Sequence, residues 1–207
     1  FLARLLEDEV ERRAQNQLAL RLRRAALDSN KVLEDFDFTF NPTVQRQQVL
    51  QLASCDFIRQ KRNVLICGPS GVGKSHLAQG LAHEGCRQGF DVLFVQTHKM
   101  LQHLHGGRAD GSWERRLQGY LRPHLLVLDD FGLKPLPSPM PEDFYDVIDG
   151  RYEKGSILLT SNRPPAEWSD LFGNPLLASA GLDRLLHHAE MVVITGRSYR
   201  AQNRQLL

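Results

Sequence analysis

The chain has 207 residues, 42% of them apolar and 24% charged, with a formal net charge of +2 at neutral pH. That is one domain of ordinary size with a full core, in the proportions of a soluble globular protein. No apolar run approaches the roughly 20 residues that span a bilayer, and Arg4, Glu7, Asp8 and Glu9 break any secretory pattern. A membrane partner is therefore not expected. The first residue is Phe1 rather than Met, so the chain is expected to be a fragment or a trimmed form. Leu2, Leu6, Val10, Ala14, Leu18, Leu22 and Ala25 recur at helical spacing and predict an amphipathic helix over residues 1–27. It is set off as an N-terminal helical extension, residues 1–30, from a core of residues 31–207. Lys31–Asn41 reads as a connector, and Pro42 opens a second helix to about Arg59.

From Asn63 onward, short apolar runs alternate with helical segments. The runs Asn63–Cys67, Asp91–Gln96, Leu125–Asp129, Ser156–Thr160 and Met191–Thr195 are apolar almost throughout, as strands covered on both faces are. Helices fall at Lys74–Gln88, His98–His105, Trp113–Tyr120, Pro141–Glu153 and Pro175–His188. The alternation predicts an α/β fold, a three-layer sandwich around a parallel sheet with its ligands at the C-terminal ends of the strands. Cys55, Cys67 and Cys86 form neither a C-x-x-C motif nor a disulfide framework, and are expected as reduced core residues of a cytoplasmic protein.

Between the first strand and its helix lies Gly68-Pro69-Ser70-Gly71-Val72-Gly73-Lys74-Ser75, a full G-x-x-x-x-G-K-[ST] loop. Its glycines let backbone N–H groups curl toward a polyphosphate, and the following helix adds the positive end of its dipole. Lys74 is placed for the β- and γ-phosphates of ATP, Ser75 for Mg²⁺, and His76 follows directly at the same site. The strand Leu125–Leu128 ends in Asp129-Asp130, as a Walker B element does. Asp129 would hold the Mg²⁺ shell, and Asp130 would orient or deprotonate the attacking water. Many P-loop ATPases carry Glu at the second position, and the shorter Asp predicts slow hydrolysis. Asn162, after Thr160-Ser161, is the candidate holder of the lytic water; its alternative role is to cap the turn before Pro164-Pro165.

The stretches GPSGVGKSHLAQGLA, LLVLDDFG, LLTSNRPPAEW and GLDRLLHHAEMVVITGRSYR, in this order, resemble AAA+ ATPases of the DnaA/DnaC clade. They are most similar to the IstB helper ATPases encoded beside the transposase in some insertion sequences, over about residues 30–200. The resemblance implies a five-stranded sheet of order 5-1-4-3-2, a lid reduced or absent, and self-association into a ring or helical oligomer with ATP between subunits. It makes Arg184 the arginine that stabilises transition-state charge in trans, unless an ion pair with Asp183 or Glu190 holds it. Arg200 matches the sensor-2 arginine, and Phe38 to Val49 forms part of the base pocket. The segment carrying Lys99, Arg108, Arg115 and Arg116 corresponds to a region of assembly and DNA contact, or is a solvated charged face. The expected function is an ATPase, partner- or DNA-stimulated, that assembles on double-stranded DNA and assists a transposase. A DnaC-like helicase loader is the near alternative, and a small-molecule kinase a more distant one, for which no lid-like insertion is present.

Overall fold

The computed structural model describes residues 2–204; positions 205–207 of the expected core, and the Leu2 side chain of the expected apolar stripe, lie outside the described residues. Five strands, β1 (Val64–Cys67), β2 (Val92–Gln96), β3 (Leu125–Phe131), β4 (Ser156–Ser161) and β5 (Glu190–Val193), form one parallel sheet in the order β2-β3-β4-β1-β5. Read from the other edge, this is the expected order 5-1-4-3-2.

Successive side chains on a strand point to opposite faces, and here both faces are buried. Val64, Ile66, Leu125, Val127, Leu158 and Val192 enter one core, while Leu65, Cys67, Leu126, Leu128, Ile157 and Leu159 enter the other. That is why each strand reads as an unbroken apolar run rather than an alternating one. The first core is covered by α1 (Leu2–Ala25), α2 (Arg46–Ala53), α3 (Asp56–Arg59) and α4 (Lys74–Arg87). The second lies under α5 (Thr97–Asp110), α6 (Trp113–Leu121), α7 (Met140–Arg151) and α8 (Pro175–Leu186). A short α9 (Tyr199–Arg204) follows β5. The three thiols are all buried, and burial pushes each up to about 11, so they stay protonated.

Several boundaries differ from the sequence reading for identifiable reasons. Pro42 does not open a helix, because the chain there is tied down: Asn41 Nδ2 donates to the Val72 carbonyl and Thr43 Oγ1 to the Thr195 carbonyl. The expected single helix is two, α2 and α3, broken where Cys55 adopts a left-handed φ of 59°. Helix α5 runs on through Gly106-Gly107, where a Cβ on Gly107 would sit 2.8 Å from Trp113 Cα; the glycine admits α6 against α5. Only the second half of α1 packs, through Leu18, Leu22 and Ala25. Its Leu6 and Val10 are 65% and 66% exposed.

Candidate nucleotide site

β1 delivers the chain to Gly68, whose N–H donates to the Ser161 carbonyl at the end of β4. The loop then turns through Gly71 and Gly73, with φ of 83° and 101°, which L side chains rarely adopt. Gly73 is the N-cap of α4, and a Cβ there would lie 2.9 Å from the Phe36 ring. A glycine cap offers no side-chain acceptor, so the first N–H groups of α4 stay available to an anion.

Around this loop the chain holds its own polar groups in waiting. Lys74 is buried, its Nζ donating to the Pro69 carbonyl at 2.7 Å. Burial lowers its pKa, against the pull of Asp130 and Asp129. Ser75 Oγ donates to Asp129 Oδ1 at 2.9 Å, so the two expected magnesium ligands are already side by side. Thr160 Oγ1 donates to the same carboxylate oxygen at 2.5 Å and accepts from the Asp130 N–H at 3.0 Å. Thr160 therefore fixes both aspartates.

β3 does not stop at Asp129 as its sequence suggests. It continues to Phe131 with a register shift against β4, and Asp130 takes a left-handed φ of 58°. Such a bulge re-aims a side chain: Asp129 is buried against Ser75, and Asp130 lines the cavity beside the loop. Burial, then the neighbouring Asp129, pushes the Asp130 carboxyl above the usual carboxylate range.

The cavity, about 280 Å³, brings together Ser70 to His76, Asp130, Asn162 and Arg200. Gly68, Pro69 and Asp129 are not part of that lining. His76 is tied back, its Nε2 paired with the Val32 carbonyl at 2.8 Å, which anchors the connector to α4. The far wall is aromatic: Phe36, Phe40 and Tyr199, with Phe40 and Tyr199 edge to face at 5.0 Å. The lining includes Phe40 and Asn41 from the expected Phe38–Val49 segment, but also Phe36 and Asp35 before it. Phe38 itself packs on the core and on Phe36. Tyr199 is tied to the loop, its N–H donating to the Gly71 carbonyl.

Arg184 sits elsewhere. It is near the end of α8, and the neighbouring Leu185 carbonyl accepts from Asn63, which precedes β1, so Arg184 lies at the end of the sheet opposite the loop. Within the chain its guanidinium pairs with neither Asp183 nor Glu190 but with Asp149 at 3.2 Å and the Tyr145 hydroxyl at 2.7 Å. On the α5–α6 segment, Lys99 and Arg115 are exposed and without an ion pair among the described residues. Arg108 instead bonds the buried Asp143, which also accepts from Trp113 Nε1, and Arg116 pairs with Asp110.

Comparison with known proteins agrees with this geometry. The family model described as IstB-like ATP binding protein matches residues 1–206. The chain belongs to this family. An ATP-binding protein of an insertion sequence in Mycobacterium tuberculosis is 42% identical over 205 residues, 99% of this chain and 82% of that one. Among solved structures, the DnaC helicase loader aligns over 80% of this chain and 97% of its own, with TM-score 0.66 and 23% identity. A DNA replication initiation factor aligns equally well, TM-score 0.66 at 22% identity, over 82% of this chain; the match spans half of that protein's length. At such identities these structures establish the fold alone, a parallel five-stranded α/β core. Sequence reasoning passed over Thr160, Phe36 and Tyr199 as site residues; the TSN and SYR motifs and the Phe-rich connector held the signal, but not the contacts.

Proposed function

We propose that this chain is an ATPase that assembles on double-stranded DNA when ATP is bound and assists a transposase, with hydrolysis as the switch that ends the assembly. The observation that carries the reading is a division of labour within the fold. One chain holds the loop, the paired Ser75 and Asp129 and the buried Lys74, yet its Arg184 lies at the other end of the sheet. A site completed by that arginine needs a second copy. The IstB-like family and the insertion-sequence relatives at 42% identity favour transposition over helicase loading, for which the likeness is one of fold.

In this reading Lys74 leaves the Pro69 carbonyl for the β- and γ-phosphates. The donors at Ser75 and Asp129 are hard oxygens and fit Mg²⁺, which characteristically binds through one or two protein oxygens and the substrate phosphates. Bound there, Mg²⁺ would supply charge neutralisation to the polyphosphate. Asp130 accepts the proton of the attacking water, and its raised pKa suits a general base better than an ordinary carboxylate would. Asn162 steadies that water, Arg200 meets the γ-phosphate, and Arg184 stabilises the transition-state charge from the neighbouring copy. Turnover is slow and stimulated by DNA or by the partner. Lys99 and Arg115, exposed and unpaired among the described residues, are the readier phosphate contacts for DNA, with Arg108 and Arg116 held in ion pairs beside them. A cytoplasmic location supplies both ATP and the reduced state of the three buried thiols. Among the described residues no helix is long and apolar enough to cross a membrane.

Mass photometry on duplex or single-stranded DNA, with ATP, ADP or no nucleotide, tests the reading. Large complexes on duplex, dependent on ATP and weakened by Arg184→Ala, are the expected outcome. Preference for single strands would favour helicase loading, and a monomer under every condition would overturn the assembly.

A further inference from the structure

At the end of the sheet remote from the phosphate loop, the C-terminal ends of three helices meet. Lys61 follows α3, Glu153 follows α7 and His188 follows α8, each with a left-handed φ of 54° to 57°. They line a cleft of about 140 Å³ together with Arg62, Arg151 and Arg184. A left-handed residue just past the last turn is a common way for a helix to end, and here it turns the three segments into the cleft.

The charges in the cleft are unevenly matched. Arg62 is tied to Glu190 at 2.6 Å and Arg184 to Asp149 at 3.2 Å. Lys61 is exposed, and it makes no ion pair among the described residues. Arg151 is 1% exposed and likewise has no carboxylate partner there; its Nη atoms donate to the carbonyls of Tyr120, Leu121, Pro123, His124 and Ser156. The Nε atoms of Arg151 and Arg62 are buried without an acceptor. The carbonyls on Arg151, the helix C-termini and the Glu153 carboxylate offset part of this charge. With Glu190 and Asp149 on Arg62 and Arg184, the cations Lys61, Arg62, Arg151 and Arg184 still exceed the carboxylates, and an anion in the cleft would offset the remainder. The cleft has room for a phosphate group but not for a base with its sugar, nor for a duplex.

That phosphate cannot belong to the nucleotide of the same chain. Lys61 to Asn63 precede β1 and Gly68 follows it, and four strand residues at about 3.3 Å each put roughly 13 Å between the two ends. Resting on the reading that Arg184 acts across a subunit boundary, we propose that the cleft receives the terminal phosphate of the nucleoside triphosphate bound by a second copy of this chain, with Lys61 as a second trans-acting cation. In the step it assists, a water oxygen bonds to the γ-phosphorus as the bond to the bridging oxygen breaks. The water proton passes to the second copy's Asp130, and ADP and phosphate leave. Lys61 takes up no proton; its charge balances the oxygens of the transferred group.

Mixing altered copies tests this, with Mg²⁺, ATP and duplex DNA present and hydrolysis as the readout. Lys61→Gln copies keep their own phosphate loop, and Lys74→Ala copies keep their cleft. Lys61→Gln alone is expected to hydrolyse about tenfold more slowly than the unaltered chain, the loss being limited by solvent screening at an exposed position. An equal mixture with Lys74→Ala should regain much of the rate, and Lys61→Arg should lose little. Lys61→Gly relieves the left-handed backbone while removing the charge, so a loss shared with Lys61→Gln belongs to the charge and not to folding. Arg184→Ala in the same mixtures reports separately on the underlying reading. If Arg184→Ala is slow and rescued while Lys61→Gln is unimpaired, the cleft inference falls and the reading stands. A slow Lys61→Gln that mixing cannot rescue places its action within its own chain and also overturns the inference. If Arg184→Ala is neither slow nor rescued, both fall together.

Discussion

The two ends of the sheet are built in opposite ways. At the nucleotide end a single stretch, Gly68 to Ser75, supplies the loop, and three of the polar groups there have stand-in partners: Lys74 on a carbonyl, Ser75 and Thr160 on Asp129. At the other end the cleft is assembled from residues 60–63, 148–157 and 184–188, and its cations outnumber its carboxylates. One end is dictated by local geometry and poised for a ligand it can almost complete alone. The other gains its character only when distant helix ends converge, and it keeps a positive charge that the chain does not neutralise.

The largest expected effect tests whether that charge is structural. Arg151→Met keeps the bulk but takes a donor from five carbonyls, of which that of His124 still accepts from the Ser156 N–H; a buried acceptor left unsatisfied costs about 1–3 kcal/mol, so a loss of about 3 kcal/mol is expected. Urea denaturation followed by circular dichroism measures it. A loss under about 1 kcal/mol would mean that water already reaches those carbonyls and that the two ends differ less than their burial suggests. At the nucleotide end the matching change, Lys74→Ala, should leave stability nearly untouched, because a burial penalty is relieved as one hydrogen bond goes. Its effect belongs to the ligand: losing charge-assisted bonds worth about 1.5–3 kcal/mol should weaken ATP binding about 10- to 100-fold by calorimetry.

How much was legible in the sequence follows the same division. The phosphate loop, its flanking strand and helix and the Asp129-Asp130 pair were readable because each is a contiguous pattern with one backbone solution. Asn162 and Arg200 line the expected cavity. What stayed hidden depends on the third dimension. The bulge in β3 is not signalled by the run LLVLDDF, which would serve a regular strand equally well. Thr160 reads as one more strand residue until β4 lies beside β3. His187 and His188 fall within the helix expected over Pro175–His188, but α8 ends at Leu186 and their rings lie 3.9 Å apart. The partner of Arg184 was sought among its sequence neighbours and is instead Asp149, supplied by packing of α7 on α8.

Asp130→Asn has a small expected effect on stability and is the most discriminating change. Because the folded state raises the Asp130 pKa, it binds more protons there than the unfolded chain does, and stability falls as pH rises through that window. Asn removes this cost, so the unfolding midpoint of the nucleotide-free protein at neutral pH should rise by about 2 °C. The gain should shrink as pH falls toward about 4, where the carboxyl of the unfolded chain also protonates. Asn also tolerates the left-handed φ of 58° somewhat better than Asp does, and that contribution has no pH dependence. Scanning thermal unfolding against pH therefore separates charge from backbone: a gain that is constant with pH would assign the strain to the bulge, and one that fades in acid assigns it to the Asp130 charge, disfavoured first by burial and then by Asp129. ATP binding should survive the substitution and hydrolysis should not, which would place the same buried charge at the centre of both the instability and the chemistry.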